Sequence, residues 1–469
     1  MVETRTILKS RLMPKKAVAG ALLVASLGCA VVSVYHIAIG VPIDDPWLFP
    51  LLVLLPVLLS IGLAFSLRLP AHQQANVLLS LVAVVCSLYL VDGVLEVLPH
   101  RPEAISTRGP RSRGTHYDDR TPLQVAADLR AAGIAAYPAF PANTLRLPPL
   151  QGGARLTVGG RSILPLALRR NSVIVHCNES GQYALFRSDE WGFNNPAGSW
   201  ATPVDIAAIG DSFIQGACVD STETLVANIR RTFPRTVGAG LDGAGSLSKL
   251  GLLKEYVARV RPRIVLWFYY EGNDLSDLSA ELRVPELRLY LDSGSVQELP
   301  EHAAALDSLL AEEYRHYEPR RPTSNAMSTS VGATAAHWVR LNRLRGALAL
   351  GGVAERMDAC CNLDAFRAVL TEARRTVQSW GGRLYVVYLP ASGRLQVPLS
   401  GVFTDQLRYR GRVLRLLDEM RLPVIDIYPA FRRVPDPSTL FFGVRSHYSP
   451  EGYRVAADEI VKRLERADP

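Results

Sequence analysis

Four stretches of the sequence carry groups that could together cleave an ester. Ser212 lies in Gly-Asp-Ser-Phe at the end of the apolar run VDIAAIG, and Gly243 lies in the glycine-rich stretch GAGLDGAGS. Asn273 follows the apolar run RIVLWFYY, and His447 lies in RSHYSPEGY near the C-terminus. Ester cleavage needs a nucleophile, a base that takes its proton, and N–H donors for the developing oxyanion. A serine, a histidine, the approachable backbone of a glycine and a side-chain amide are groups of these kinds.

Taken singly, each of these residues also has an ordinary structural explanation. Ser212 and Gly243 would suit turns, Asn273 a helix cap, and His447 a surface loop. Their order favours the catalytic interpretation, because the first three follow successive predicted strands and His447 comes just before the last predicted helix.

The elements that must position these residues form an alternating pattern. Apolar runs at 204–210, 236–240, 263–270, 383–390 and 423–428 predict strands, and the stretches between them predict helices, including 222–233, 247–260 and 449–467. Uniformly apolar strands separated by helices predict an α/β fold with a parallel sheet covered on both faces. Ligands of such sheets bind at the carboxyl ends of the strands, where Ser212, Gly243 and Asn273 are expected.

The four blocks together resemble the GDSL/SGNH hydrolase superfamily over about residues 201–466. The resemblance implies a flavodoxin-like three-layer α/β/α fold, with Ser212 as nucleophile and His447 as base. It implies an oxyanion hole made by the N–H groups of Ser212 and Gly243 and the side chain of Asn273. Three further residues of the blocks are expected to support the site structurally, namely Gly210, Asp211 and Asp274. The stretch SDEWGFNNP at 188–196 is similar to one that precedes the serine block in membrane-anchored bacterial members.

One departure from the family pattern concerns the acid that orients the histidine. The family usually has an aspartate two or three residues before the histidine, and Val444 and Arg445 occupy those positions here. Three alternatives remain open at this point: a Ser212–His447 dyad that works alone, orientation of His447 by a backbone carbonyl or a distant acid such as Asp436, or a weakened or lost activity.

The N-terminal quarter of the chain predicts a membrane anchor. The 469 residues are 48% hydrophobic with a net charge of +8, and apolar segments at 17–40, 47–67 and 77–97 predict three transmembrane helices within 17–98. A cleaved signal peptide is the alternative for the first segment, but the two further segments favour an anchor. The basic tail 1–16 is expected in the cytoplasm, which gives a multi-pass protein of the bacterial inner membrane with its C-terminal domain in the periplasm.

The remaining chain divides into three predicted parts. Residues 99–121 read as a linker, and 122–200 as a small accessory segment that packs on the hydrolase domain. The domain itself covers 201–469 and contains a mainly helical insertion at 275–352. This insertion is either a lid or acceptor-binding surface beside the site, or a structural elaboration.

The cysteines predict one disulfide in an oxidising compartment. Cys177 ends the apolar run SVIVHC and Cys218 lies just after Ser212, so a bond between them would tie the accessory segment to the nucleophile loop. The rival pairing, Cys360 with Cys361, needs a strained ring, and four unpaired cysteines are the other alternative.

Composition and motifs favour neither a metal nor a cofactor. Cys-x-x-Cys and Walker A patterns are absent from the sequence, and GAGLDG at 238–243 matches a dinucleotide-binding pattern that is weak when it stands alone. The basic charge comes without a nucleic-acid-binding motif, so nucleic acid is not an expected partner.

The leading hypothesis for function is a serine esterase that removes acyl groups, with acetyl expected, from a cell-envelope or exported carbohydrate. The first alternative is an acyltransferase that places acyl groups on an exported polysaccharide through the same acyl-serine, which would need a membrane acyl-donor partner. The second is a non-catalytic assembly or carbohydrate-binding module, supported by the missing aspartate.

Overall fold

The computed structural model describes residues 15–38, 50–97, 118–142, 154–201, 203–316, 362–396, 409–443 and 446–467. The chain divides into two units, one made of Met1–His100 with Met327–Gly351 and the other of Arg101–Ala326 with Gly352–Pro469. Val444, Arg445, Cys360, Cys361 and most of the tail, the linker and the second half of the insertion lie outside the described residues.

The first unit contains apolar helices, and here the prediction of three membrane-spanning helices needs correction. Helices Lys15–Ala38 and Ala71–Val97 each contain a stretch long and apolar enough to cross a membrane, Lys16–Val34 and Ala71–Val91. The middle segment, predicted at 47–67, has a π-helical turn, Pro50–Leu54, followed by an α-helix of only 12 residues, Leu55–Ser66. At 1.5 Å per residue this α-helix covers about 18 Å, against about 30 Å of hydrocarbon.

Reciprocal serine hydrogen bonds join the first two of these helices. Ser26 Oγ donates to the Ser60 carbonyl at 2.8 Å, and Ser60 Oγ donates to the Ser26 carbonyl at 2.9 Å. Many of the leucine, valine and isoleucine side chains on these helices are exposed. Small polar residues at a helix–helix contact, with apolar residues facing outward, are typical of helices that pack in a lipid environment.

The second unit begins with the accessory segment. Its helix Pro122–Ala131 starts in a capping box, in which Thr121 Oγ1 accepts the Gln124 N–H and the Gln124 side chain accepts the Thr121 N–H. Its strands form a three-stranded sheet of order β1-β4-β5 and a β2–β3 hairpin. Their bounds are β1 Ala136–Pro138, β2 Leu156–Val158, β3 Arg161–Ile163, β4 Val173–Val175 and β5 Leu185–Arg187.

The main sheet of this unit has five parallel strands in the order β10-β9-β8-β6-β7. Their bounds are β6 Ile206–Gly210, β7 Thr236–Gly240, β8 Ile264–Tyr270, β9 Arg383–Leu389 and β10 Val424–Asp426. This is the flavodoxin-like strand order, in which the chain changes direction between the first strand, β6, and the third, β8. The prediction of an α/β fold with a parallel sheet is therefore confirmed.

Helices cover both faces of the sheet, so the strands are apolar throughout. Alternate residues of β8 enter two different cores, with Val265, Trp267 and Tyr269 on one face and Ile264, Leu266 and Phe268 on the other. The helices after the accessory segment are Ser212–Gln215, Leu225–Arg230, Ser246–Leu252, Ala258–Val260, Asp274–Glu281, Pro285–Arg288, Ala303–His316, Leu363–Gln378, Ser392–Gln396, Arg410–Glu419, Tyr428–Arg432 and Pro450–Ala467. Leu253–Val257 is π-helical, and Leu289–Leu291, Leu299–His302 and Pro437–Leu440 are 3-10 turns.

The helix predicted at 222–233 is shorter than expected, because side chains close the preceding loop. Asp220 accepts the N–H and the hydroxyl of Thr222, and Thr224 then caps a helix that runs only from Leu225 to Arg230. Local hydrogen bonds of this kind compete with helix formation.

The accessory segment is fastened to the free edge of the main sheet by the stretch 188–196. The side-chain amide of Asn195 pairs with the backbone of β7. Its Oδ1 accepts the Gly238 N–H at 2.8 Å, and its Nδ2 donates to the Gly238 carbonyl at 2.9 Å. The buried carboxylate of Asp189 holds this stretch in shape, since it accepts hydrogen bonds from the side chains of Asn195 and Trp200 and from the Phe193 N–H.

Candidate active site

Ser212 is the first residue of a short helix that begins directly after β6. Asp211 caps this helix by accepting the Phe213 N–H at 3.1 Å. The turn is too tight for larger residues at two neighbouring glycines. A Cβ on Gly210 would lie 2.3 Å from Ile214 Cγ1, and one on Gly240 would lie 2.2 Å from the backbone nitrogen of Gln215. The end of β7 therefore packs directly under the turn of Ser212 and fixes its position.

A chain of hydrogen bonds runs from Ser212 through His447 to Glu179. Ser212 Oγ lies 2.9 Å from His447 Nε2, and His447 Nδ1 lies 2.9 Å from Glu179 Oε1. The other carboxylate oxygen of Glu179 accepts the backbone N–H of His447 at 2.8 Å. Since a carboxylate can only accept, Nδ1 carries the proton and Nε2 is free to accept from the serine hydroxyl. This is the arrangement of nucleophile, base and orienting acid in a catalytic triad.

Glu179 is the acid that contacts His447 Nδ1, and it was not among the candidates that the sequence offered. The suggestion of Asp436 as the distant acid is wrong, because its carboxylate instead caps the turn Pro437–Leu440 by accepting the Ser438 N–H at 3.0 Å. A backbone carbonyl does not take this place either, since Nδ1 faces the Glu179 carboxylate. One signal for Glu179 was available: it lies two residues after Cys177, the cysteine expected to bond to the nucleophile loop.

The structure joins Cys177 and Cys218 in a disulfide. Cys218 Sγ lies 3.7 Å from His447 Nδ1, so the bond passes beside this imidazole. Among the described residues, Cys177, Cys218 and His447 also lie close enough together to share a cation. With both sulfurs bonded to each other, however, this group offers a metal ion only one good donor, the imidazole.

The loop of Gly243 is fixed from two sides. Gly243 has a φ of +68°, which a glycine adopts without strain. On one side, the Asp242 carbonyl accepts the Ala142 N–H at 2.6 Å. On the other, the buried carboxylate of Glu281 accepts the N–H groups of Gly245 and Leu247 at 2.9 and 2.7 Å. Glu281 thereby caps the start of helix Ser246–Leu252, and these contacts hold the preceding loop in place.

Asn273 brings a free amide to the carboxyl end of β8. It precedes helix Asp274–Glu281 without capping it, and within the described residues no hydrogen bond reaches its side chain, whose Oδ1 is buried. The next residue, Asp274, is fully buried and pairs with Lys249 at 2.6 Å. Lys249 also donates to the Phe268 carbonyl at 3.0 Å, so this pair anchors the loop that carries Asn273.

The charges around His447 favour its protonated form more than water does. Burial lowers the pKa of the imidazole, but the Glu179 carboxylate raises it by charge and hydrogen bonding, and Asp242 and Asp211 add to this effect. The net result is a pKa above the ordinary value of 6.5. The neighbouring His176 behaves in the opposite way, since burial and the charge of His447 lower its pKa to about 3. His176 is therefore neutral at physiological pH, and His447 is the histidine suited to carry a proton.

No family model and no curated protein matches the chain. Among solved structures, the chain is similar to a lipase/acylhydrolase from Enterococcus faecalis at 15% identity, with 56% of this chain and 96% of that one covered and a TM-score of 0.32. It is similar to a member of the lipolytic protein G-D-S-L family from Veillonella parvula at 12% identity, with 56% and 99% covered and a TM-score of 0.32. It is also similar to the acetyl xylan esterase AlAXEase at 12% identity, with 56% and 100% covered and a TM-score of 0.33. In the order of its four sequence blocks and of its sheet strands, the chain resembles the GDSL/SGNH hydrolases.

Proposed function

We propose that the protein is a serine esterase whose catalytic triad is Ser212, His447 and Glu179. The observation that carries this proposal is the continuous hydrogen-bond chain from the serine hydroxyl to the carboxylate, with 2.9 Å at each of its two steps. A buried serine in a merely structural turn would not need a histidine aligned in this way at the carboxyl edge of the sheet.

In the proposed reaction, Ser212 Oγ attacks the acyl carbonyl while His447 Nε2 takes the hydroxyl proton. The tetrahedral intermediate collapses, the C–O bond to the alcohol breaks, and His447 returns the proton to the departing alcohol. Water then attacks the acyl-serine by the same route, which releases the carboxylic acid and restores Ser212. The Glu179 carboxylate stabilises the imidazolium that forms in each half-reaction.

The oxyanion donors of this proposal are the N–H groups of Ser212 and Gly243 and the side chain of Asn273. Support for Asn273 comes from its side-chain nitrogen, which donates no hydrogen bond within the described residues and is therefore available to a ligand. Support for Gly243 comes from its fixed loop, because preorganised donors act without reorganisation as charge develops.

For the substrate, we propose acetyl esters of a cell-envelope or exported carbohydrate, and for the location, an extracytoplasmic domain with a membrane anchor. Two apolar helices of sufficient length support the anchor. The disulfide supports the location, because disulfides persist outside the cytoplasm. A polysaccharide would then be the ester-bearing polymer within reach of the domain. Release of acetate from acetylated polysaccharides, compared with release of longer acyl groups from p-nitrophenyl esters, tests this part of the proposal.

Labelling with a fluorophosphonate tests the nucleophile directly. The wild-type protein should react with the probe and lose its esterase activity. Ser212→Ala should not react, and it should be inactive before the probe is added. Ser221→Ala is the matched control, since Ser221 lies on the loop that follows the nucleophile turn and should leave labelling unchanged. Equal labelling of wild-type protein and Ser212→Ala would exclude Ser212 as the nucleophile. Adding sugar acceptors to the assay shows whether an acyl group is transferred to a hydroxyl instead of to water.

A further inference from the structure

We propose that the Cys177–Cys218 disulfide switches this active site on, because it holds Glu179 against His447. The triad would then be complete only in the oxidised protein. This inference rests on the proposed function, since it concerns the same site, and it adds a condition under which that site works.

Glu179 lies at the tip of a hairpin that belongs to the accessory segment. The hairpin continues the β4–β5 pairing. The His176 N–H donates to the Ala184 carbonyl at 2.9 Å, and the Ala184 N–H donates to the Cys177 carbonyl at 2.8 Å. A turn closes the tip, with the Gly181 N–H donating to the Asn178 carbonyl at 2.9 Å. The acid is thus mounted on a short hairpin end, and the base lies on a loop 268 positions further along the chain.

The hairpin tip is also tied to the chain just before the accessory segment. Asn178 Nδ2 donates to the Asp118 carbonyl at 2.9 Å, and the Tyr183 hydroxyl donates to the Arg120 carbonyl at 2.7 Å. Neither of these contacts involves the loop of Ser212 or that of His447. The disulfide does reach the loop of Ser212, since Cys177 lies two residues before Glu179 and Cys218 lies six residues after Ser212. One covalent bond therefore connects the strand of the acid with the loop of the nucleophile.

Opening this bond should loosen the tip without detaching the accessory segment. The pairing of Asn195 with Gly238 on β7 and the hydrogen bonds to Asp189 lie elsewhere in the segment and do not depend on the disulfide. Reduction transfers two electrons and two protons from a dithiol, leaving Cys177 and Cys218 as thiols and the reductant as its own disulfide. Without the covalent bond, only the hairpin and the two hydrogen bonds to His447 hold Glu179 in place, and small displacements of an orienting group are costly in catalysis.

Loss of the contact between Glu179 and His447 predicts a change in the pKa of His447 that general destabilisation would not cause. Three acidic groups face His447, namely Glu179, Asp242 and Asp211, and His176 is the neighbouring imidazole. Of the three acids, only Glu179 is carried by the hairpin. Its withdrawal should lower the pKa of His447, while Asp242 and Asp211 stay in place.

The experiment uses the full-length protein in detergent, either oxidised or reduced with dithiothreitol and desalted under nitrogen. We expect reduction to lower kcat for p-nitrophenyl acetate by about ten- to a hundredfold, and oxidised glutathione to restore it. The Cys177→Ala/Cys218→Ala variant should match the reduced protein and ignore the reductant. Cys29→Ala/Cys86→Ala is the matched control, because these free cysteines lie in the apolar helices and their loss should leave the response intact.

The pH dependence of His447 modification by diethyl pyrocarbonate, followed by mass spectrometry, provides the second readout. A quarter of the His447 side-chain surface is exposed, so the reagent can reach it. We expect the midpoint to lie at lower pH in the reduced protein than in the oxidised one. Unchanged kcat on reduction, or a loss of kcat with an unchanged midpoint, would overturn the proposal. Absence of Ser212-dependent hydrolysis in the oxidised protein would refute the proposed function instead, and the His447 midpoint would still decide whether the disulfide holds Glu179.

Discussion

At the scale of single residues, the proposed triad takes its orienting acid from outside the loop that carries the histidine. What the chemistry requires is a carboxylate at Nδ1, and Glu179 meets this requirement with a second hydrogen bond to the His447 backbone. That bidentate contact fixes both the ring and the loop that carries it. A glutamate from a separate segment therefore replaces the aspartate that the family pattern places close to the histidine.

The first prediction concerns Glu179→Gln. Neutral His447 is the active form of the base, so activity falls as the pH drops through its pKa, which Glu179 raises. Removing the charge should move this acid limb of kcat/KM to lower pH, while kcat at its plateau falls by roughly a hundred- to ten-thousandfold. Glu190→Gln is the control, because Glu190 lies in the same segment and accepts only the Gly198 N–H among the contacts described. An acid limb at the same pH in both variants would remove Glu179 from the triad.

The second prediction concerns Asn273. Asn273→Asp keeps the size of the side chain but replaces the donor by an acceptor, and Asn273→Ala removes it. Each should lower kcat by about a hundred- to a thousandfold. KM should change little, because the donor acts on charge that develops only in the transition state. Since the amide makes no hydrogen bond within the described residues, Asn273→Ala should melt close to the wild-type temperature. A folded Asn273→Ala protein with wild-type kcat would contradict the role.

At the scale of elements, a buried ion pair links the helix Asp274–Glu281 to the helix Ser246–Leu252. Lys249 and Asp274 are both fully buried, with 2.6 Å between Nζ and Oδ2. Burial lowers the pKa of Lys249, but Asp274, Asp211 and Glu281 more than compensate, so its pKa is raised and the ammonium stays charged. The loops of Gly243 and Asn273 adjoin these two helices, and the ion pair keeps them together.

The third prediction follows from the unequal effects of breaking and replacing this pair. Lys249→Met leaves Asp274 buried without its partner and should destabilise the protein by about 3–5 kcal/mol. Lys249→Met/Asp274→Leu removes both charges and should recover most of that loss. Denaturant midpoints of the three proteins measure the difference. A double variant that is no more stable than Lys249→Met would show that the pair itself, and not the stranded carboxylate, determines the stability.

The elements, the Cys177–Cys218 disulfide and the approach of His447 to Ser212 were predictable from the sequence, and the carboxylate that contacts His447 was not. Runs such as RIVLWFYY are apolar at every position because both faces of β8 are buried, and this pattern is visible in the chain. The partner of His447 is not visible, since Glu179 lies far from it in sequence and follows no local rule. The middle apolar segment was overestimated for a related reason: composition shows that 47–67 is hydrophobic, but not that its α-helix covers only Leu55–Ser66.

At the scale of the whole molecule, the disulfide limits where the site can work. Thiols in the cytoplasm are kept reduced, so a disulfide that completes the proposed triad predicts that the domain lies outside the cytoplasm. Alkaline phosphatase fused after Pro469 should therefore be active. Green fluorescent protein fused at the same residue should not fluoresce, because it is exported unfolded. The wild-type protein isolated from membranes under non-reducing conditions should yield the Cys177–Cys218 peptide pair and no alkylated Cys177. An inactive phosphatase fusion together with a fluorescent green fluorescent protein fusion would place the domain in the cytoplasm, where the disulfide could not persist.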